Sequence, residues 1–189
     1  MEFLLLFVVA TFAGIVGALV GLGGGVILVP VILFLGNTLG LVQNITPQTV
    51  VGLSVIMMIF IGISSTLSYM KSKTVHFKTG FIFFIGSVPG TIFGAWINKG
   101  LDVPSFNLYF GILLIIIAMI LIFRDKLKPV RWFVNHGTQF EYIDAQGKKY
   151  IYGYPIWFAI SLTFVVGCMS GVFGIGGGSI LVPAMLILF

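Results

Sequence analysis

The stretch that decides the fold is Gly14–Pro30, which reads GIVGALVGLGGGVILVP. The pattern returns at Gly167–Pro183 as GCMSGVFGIGGGSILVP, and nine of the seventeen positions are identical. Both copies place three consecutive glycines shortly before Ile-Leu-Val-Pro, within a long apolar run. Chance could supply a glycine-rich apolar tract twice, but hardly the whole pattern. The chain therefore contains an internal repeat.

The composition around these tracts is that of a membrane protein. Hydrophobic residues make up 59% of the chain and charged residues 8%, where a soluble domain has about 25% charged residues. No charged residue lies between Glu2 and Lys71, or between Lys149 and the last residue, Phe189. Because roughly 20 apolar residues cross a bilayer, the sequence predicts an all-α, polytopic transmembrane protein embedded in lipid. It excludes a soluble enzyme and a nucleic-acid binder, since the basic residues concentrate in two loops.

Seven apolar segments are predicted to form helices, punctuated by glycine and proline. They are Phe3–Val20, Val26–Leu35, Pro47–Met70, Thr79–Asn98, Pro104–Phe123, Pro155–Phe173 and Ser179–Phe189. The chain then divides into a first transmembrane repeat (residues 1–123), a cytoplasmic loop (124–154) and the start of an incomplete second repeat (155–189). Within the loop, residues 139–152 predict either a small hairpin or a plain connection.

The basic loops also predict how the two repeats are oriented. Lysines follow Met70, and six more lysines and arginines lie within residues 124–154. Both loops should therefore lie on the inner side of the membrane. If the first two segments cross separately, the first copy begins outside and the second begins inside. The copies would then be inverted, with helices broken at the glycines. A single helix from Phe3 to Leu35 would be about 50 Å long and would overshoot the bilayer.

The glycine breaks are the candidate binding site. No Asp, Glu, Lys, Arg or His lies within the predicted spans, so backbone N–H groups are what remains to meet a charged substrate. A break followed by a helix start presents unpaired amides and the positive end of the helix dipole, which is a geometry that binds anions. The predicted substrate-binding residues are Gly21, Gly23, Gly24, Gly25, Gly174, Gly176, Gly177, Gly178 and Ser179. Ser179 would add a hydroxyl donor that Val26, its counterpart, lacks.

Helix packing is the alternative interpretation of these glycines, because small residues let transmembrane helices approach closely. It is favoured for Gly14, Gly17 and Ala18, whereas packing alone does not require a glycine triplet. No Walker motif is present, and His76 and His136 are isolated in basic loops. We therefore expect no cofactor, no metal site and no enzymatic activity.

The repeated G-[LI]-G-G-G-x-I-L-V-P, together with Val51–Ser54, Val75–Gly80 and Gly86–Gly90, resembles the TauE/SafE sulfite exporter family. The resemblance covers nearly the whole chain outside residues 124–154. It implies a multi-pass transporter of the cell membrane that exports a small anion, sulfite or a related organosulfur anion. It also assigns Pro30 and Pro183 to the motif.

The second copy departs from the first in length. Just over 90 residues separate Pro30 from the long loop, whereas six residues follow Pro183. The sequence therefore reads as truncated within the second repeat. The alternative function is a non-transporting accessory or remnant membrane subunit that needs a partner, and a homo-oligomer or a completing chain would supply what is missing.

Overall fold

The computed structural model describes residues 2–21, 23–37, 45–71, 77–123, 138–143 and 149–188. Each of the seven predicted apolar segments forms one helix, and the ends agree to within about two residues over the described positions. The all-α prediction is confirmed. The helices are α1 (Glu2–Val20), α2 (Gly25–Asn37), α3 (Pro47–Lys71), α4 (Phe77–Asn98), α5 (Val103–Phe123), α6 (Ile156–Phe173) and α7 (Gly178–Leu188).

Four helices in the described part of the chain, α3 to α6, are long and apolar enough to cross a membrane. The helix that follows the first glycine break, α2, is shorter, with 13 residues. At 1.5 Å per residue it extends about 20 Å, less than the ~30 Å of hydrocarbon. The first glycine tract thus lies between a longer and a shorter helix, and the inverted relation of the two copies stays a prediction.

The loop between α5 and α6 contains a β-hairpin. Strand β1 (Thr138–Ile143) pairs antiparallel with β2 (Lys149–Tyr154), and the register joins Thr138 to Tyr154. Of the two interpretations of this loop, the hairpin is confirmed. Its placement on the cytoplasmic side remains a prediction from charge.

The buried core lies where α1, α2, α3 and α5 meet. Its fully buried side chains include Val29, Val50 and Phe106, and Phe106 stacks on Phe110 at 5.6 Å between ring centroids. Outward faces are equally apolar, and the Trp157 side chain is 83% exposed. Such surfaces suit a protein whose solvent is lipid, because acyl chains are as apolar as leucine.

A glycine ladder joins α4 to α6, and we use this name for Gly86, Gly90 and Gly94. These residues lie one turn apart, and a Cβ at any of them would collide with the main chain of α6. The carbonyls that they face are, in order, those of Ile160, Phe164 and Cys168. The two backbones are therefore in direct contact, as expected of small residues at every fourth position of membrane helices.

Two amide side chains tie the ends of these helices together. The Asn98 Nδ2 group donates to the Val172 carbonyl, which joins the last turns of α4 and α6. The Gln48 Nε2 group, at the start of α3, donates to the carbonyls of Asn98 and Leu101 at 2.8 and 2.9 Å. Carbonyls at a helix end have no partner within the helix, so these bonds satisfy groups that lipid could not.

Candidate functional site

The two glycine tracts meet in the structure. A Cβ on Gly25 would collide with the Gly174 carbonyl oxygen, and one on Gly23 would lie 3.4 Å from the Ile175 oxygen. In return, a Cβ on Gly178 would lie 3.4 Å from the carbonyl of Gly21. The breaks that follow α1 and α6 therefore pack main chain against main chain, which only glycine permits at this distance.

Gly174 starts the second break and is held from two sides. It adopts φ +67°, the left-handed cap conformation that favours glycine, and its N–H donates to the Ser170 carbonyl at 2.7 Å. Its own carbonyl accepts a hydrogen bond from the buried Ser54 hydroxyl of α3 at 3.0 Å. The chain direction after α6 is thereby fixed from a neighbouring helix.

Ser179 holds the far end of the same break. Its buried hydroxyl donates to the Gly176 carbonyl at 2.7 Å, so its single proton is used inside the loop. The sequence predicted this hydroxyl as a donor to the substrate. In the structure it donates within the loop, and its role toward a substrate stays a prediction. Val26, at the matching position of the first break, has no hydroxyl to make this bond, so the two breaks differ as the sequence predicted.

Unpaired amides stand at the start of α7. Among the described residues, no acceptor binds the N–H of Gly176, Gly177 or Gly178, whereas the N–H groups that follow bond back to the carbonyls of Gly176 and Gly177. The first amides of a helix have no acceptor within it. Together with the helix dipole they give this end a partial positive charge.

A cavity of about 340 Å³ opens between α4, α6 and the start of α7. Gly177 and Gly178 line it, and a Cβ on Gly177 would meet only Val166, at 3.8 Å. The lining residues are Gly80, Phe83, Phe84, Ser87, Thr91, Thr163, Val166, Gly167, Ser170, Gly177, Gly178 and Leu181. None of them is charged.

Of the four hydroxyls that line this cavity, one has no hydrogen-bond partner among the described residues. Thr91 donates to the Ser87 carbonyl at 2.8 Å, Thr163 to the Ala159 carbonyl at 2.8 Å and Ser87 to the Phe84 carbonyl at 3.4 Å, all within their own helices. Ser170 makes no side-chain hydrogen bond to any residue that the structure describes. Its Oγ thus joins the glycine amides as a donor.

Sequence reasoning missed Ser170 and the two threonines. A signal was present, because Thr163, Gly167 and Ser170 are spaced i, i+4, i+7 and therefore share one face of α6. Small and hydroxyl residues on one face of an apolar helix indicate a close or polar neighbour.

The first break is arranged differently. Gly24 lies so close to Gly17 and to the Met57 methyl group that neither glycine leaves room for a side chain. Gly21 has open space around it but adopts φ +75°. None of the glycines of this break lines the cavity. Of the nine predicted site residues, the cavity therefore collects Gly177 and Gly178.

Comparison with known proteins agrees with this architecture. The model of the family described as sulfite exporter TauE/SafE matches residues 6–189. A probable membrane transporter protein of Bacillus subtilis (strain 168), YunE, is 45% identical over 189 residues, which is 100% of this chain and 69% of YunE. A probable membrane transporter protein of Methanocaldococcus jannaschii is 26% identical over 182 residues, or 96% of this chain and 60% of that protein.

A second Bacillus subtilis protein, the probable membrane transporter YjnA, is 27% identical over 188 residues, or 94% of this chain and 65% of YjnA. The chain thus spans about 60 to 70% of the length of these curated relatives. No solved structure matches it. With apolar helices suited to a membrane and a family match over all but its first five residues, the chain belongs to the sulfite exporter TauE/SafE family.

Proposed function

We propose that this chain carries a small anion across the cell membrane and that the anion binds at the second glycine break. The observation that carries the proposal is that residues with donors to spare line one cavity. Gly177, Gly178 and Ser170 all line it, and their amides and hydroxyl have no acceptor among the described residues. None of the lining residues is charged.

The electrostatics of these groups favour a negative ligand. An anion that leaves water loses strong hydrogen bonds, and an apolar cavity returns none of them. Backbone amides at a helix start supply donors without a fixed charge, aligned with the positive end of the dipole. A cation would meet the same dipoles with the wrong sign. Binding without a full counter-charge also suits a transporter, because the ligand must leave again.

Sulfite or a related organosulfur anion is the substrate class that we propose, with export as the direction. The family description supports the sulfur anion, and the names of the relatives support membrane transport. The oxygens of such an anion could accept from the amides and from the Ser170 hydroxyl together. The cavity of about 340 Å³ leaves space for water or for an organic substituent beside them.

The test is sulfite efflux from cells that produce this chain, compared with its Gly177→Val variant. The substitution places two methyl groups in the cavity, and the backbone at Gly177 does not require glycine. We expect efflux to fall about tenfold or more, the effect of losing ~1.4 kcal/mol of binding, at an unchanged amount of protein in the membrane. Gly52→Val is the matched control, because a Cβ on Gly52 would meet no atom within 4 Å.

Ser170→Ala should reduce efflux less, since it removes one donor and leaves the cavity open. Normal efflux by the Gly177→Val variant would show that the anion does not pass this break. If the unsubstituted chain exports nothing, the accessory-subunit alternative gains support, and the same comparison is then made in the presence of a completing chain.

A further inference from the structure

One face of α1 has no neighbour among the residues that the structure describes. Phe7 and Ile15 are 72% and 57% exposed, and Thr11 and Ala18 are exposed beside them. Between them, a Cβ on Gly14 would meet no atom within 4 Å. We call these five residues the open face of α1. Large and small side chains share this face, and Gly14 leaves its middle without a side chain.

The corresponding face of α6 is fully occupied. Gly14 and Ala18 stand 153 residues before Gly167 and Gly171 in the repeat. A Cβ on Gly167 would collide with the Ser87 main chain, and one on Gly171 with the Thr91 carbonyl. The α6 residues that correspond to the open positions Gly14 and Ala18 of α1 are therefore in direct contact with α4.

The match extends over the remainder of the open face. The counterparts of Phe7, Thr11 and Ile15 at the same offset are Ile160, Phe164 and Cys168. Those three residues supply the carbonyls that face the glycine ladder of α4. All five residues of the open face thus correspond to α6 residues that contact α4, whereas Val8 corresponds to the exposed Ser161.

We propose that the open face of α1 binds a transmembrane helix of the same kind as α4. Such a helix carries small residues at every fourth position and packs its backbone against Gly14 and Ala18. It runs parallel to α1, because the contacts of α4 advance along α6 in the same chain direction. Lipid does not fill this role as well, since glycine and alanine let a helix backbone pack closely against this face.

The curated relatives have room for such a helix. YunE matches this chain along its whole length, yet that match covers 69% of YunE. The unmatched part of these relatives should therefore contain an apolar helix with small residues at every fourth position. In a protein with two repeats, that helix would pack against α1 as α4 packs against α6.

The proposal is tested by crosslinking the full chain to a peptide in lipid vesicles. The peptide is Phe77–Asn98 of this protein with Thr91→Cys, a helix long and apolar enough to insert by itself. The chain carries Cys168→Ser, which removes its only cysteine, and Ala18→Cys. A short thiol-reactive crosslinker should join the two, because the Ala18 counterpart Gly171 lies against Thr91.

The matched control is the same chain with cysteine at Val8 instead, which should crosslink several-fold less. Adding Gly14→Ile to the chain, or Gly90→Ile to the peptide, should lower the yield at position 18 to the level of that control. Equal crosslinking yields at positions 8 and 18 would overturn the proposal. So would a yield at position 18 that neither Gly14→Ile nor Gly90→Ile lowers. A dimer of the chain through position 18 as the main product would also overturn it, since a second copy would then occupy the face. The readout is independent of anion transport.

Discussion

Ser54 lies in the first third of α3 and is buried, and its hydroxyl donates to the carbonyl of Gly174, which follows α6. The same hydroxyl donates to the Val51 carbonyl of its own helix at 2.7 Å, so its one proton is shared between the two acceptors. One side chain therefore links a membrane-crossing helix to the backbone of the second break. A small donor is needed here, because Gly174 also packs against Val51.

We expect Ser54→Ala to destabilise the protein by about 1–3 kcal/mol, because it leaves the buried Gly174 carbonyl without this donor. Thermal unfolding in detergent, followed by circular dichroism, measures the effect. Thr11→Ala is the control, since the Thr11 hydroxyl donates to a carbonyl of its own exposed helix. Equal losses in the two variants would show that the contact with the break contributes nothing.

For single residues, the sequence shows which side chains can donate a hydrogen bond but not which acceptor each one binds. Ser179 was expected to donate a hydrogen bond to a substrate, and in the structure its hydroxyl donates to the Gly176 carbonyl. A serine beside a helix start predicts a hydrogen bond but does not say which acceptor receives it, because the loop geometry decides that. The face that Ser170 shares with Thr163 and Gly167 indicated a close or polar neighbour, but the sequence does not show that α4 and α7 leave a space in front of Ser170.

The glycine ladder makes α4 and α6 the most closely packed pair of helices in the described chain. Gly90→Val should separate them, because its side chain would overlap the Phe164 carbonyl and nearby backbone that cannot move alone. Overpacking of this kind costs about 1–3 kcal/mol or more, and it should also reshape the cavity that the two helices line.

Detergent stability and the yield of a disulfide or crosslink between α4 and α6 would measure that separation. Gly111→Val on α5 is the control, since a Cβ there would meet no atom within 4 Å. If Gly90→Val were as stable as this control, the close approach of the two backbones would not matter for the fold.

Helix boundaries were predictable because glycine and proline mark them. Pro155 precedes α6 as its cap and Pro104 lies in the first turn of α5, as proline's fixed φ favours. The partner of α4 was not predictable in the same way. Its small residues indicate close approach to some helix, but each helix of this chain is apolar on every side, so periodicity does not identify the partner.

The orientation of the whole molecule in the membrane is predicted from the charged residues at the ends of its helices. Lys71 ends α3 and is predicted inside, whereas Lys99 follows α4 and is predicted outside. In the Cys168→Ser background, Lys99→Cys should react with an impermeant maleimide on intact cells. Lys71→Cys should react only after permeabilisation. The reverse pattern would invert the topology, and reaction of both on intact cells would contradict α4 as a membrane crossing.

Much of the molecular architecture was accessible from sequence, because long apolar segments without charge have few ways to satisfy their backbone in lipid. A duplicated glycine tract also favours a contact between its two copies, but it does not predict the asymmetry between them. Both tracts read almost alike, but the first is closed by Gly17 and Met57, while the second borders a cavity. That difference depends on which helices lie opposite, which a motif does not encode.

The even spacing of the glycine ladder has a mechanical consequence. A shift of α4 along α6 by one rung is four residues, about 6 Å. It would bring Ile82 to the place of Gly86, or Asn98 to the place of Gly94, and neither place has room for a Cβ. The ladder therefore fixes the axial register of the two helices. The hydrogen bond from Asn98 to Val172 belongs to that register, so α4 and α6 should move as one rigid pair.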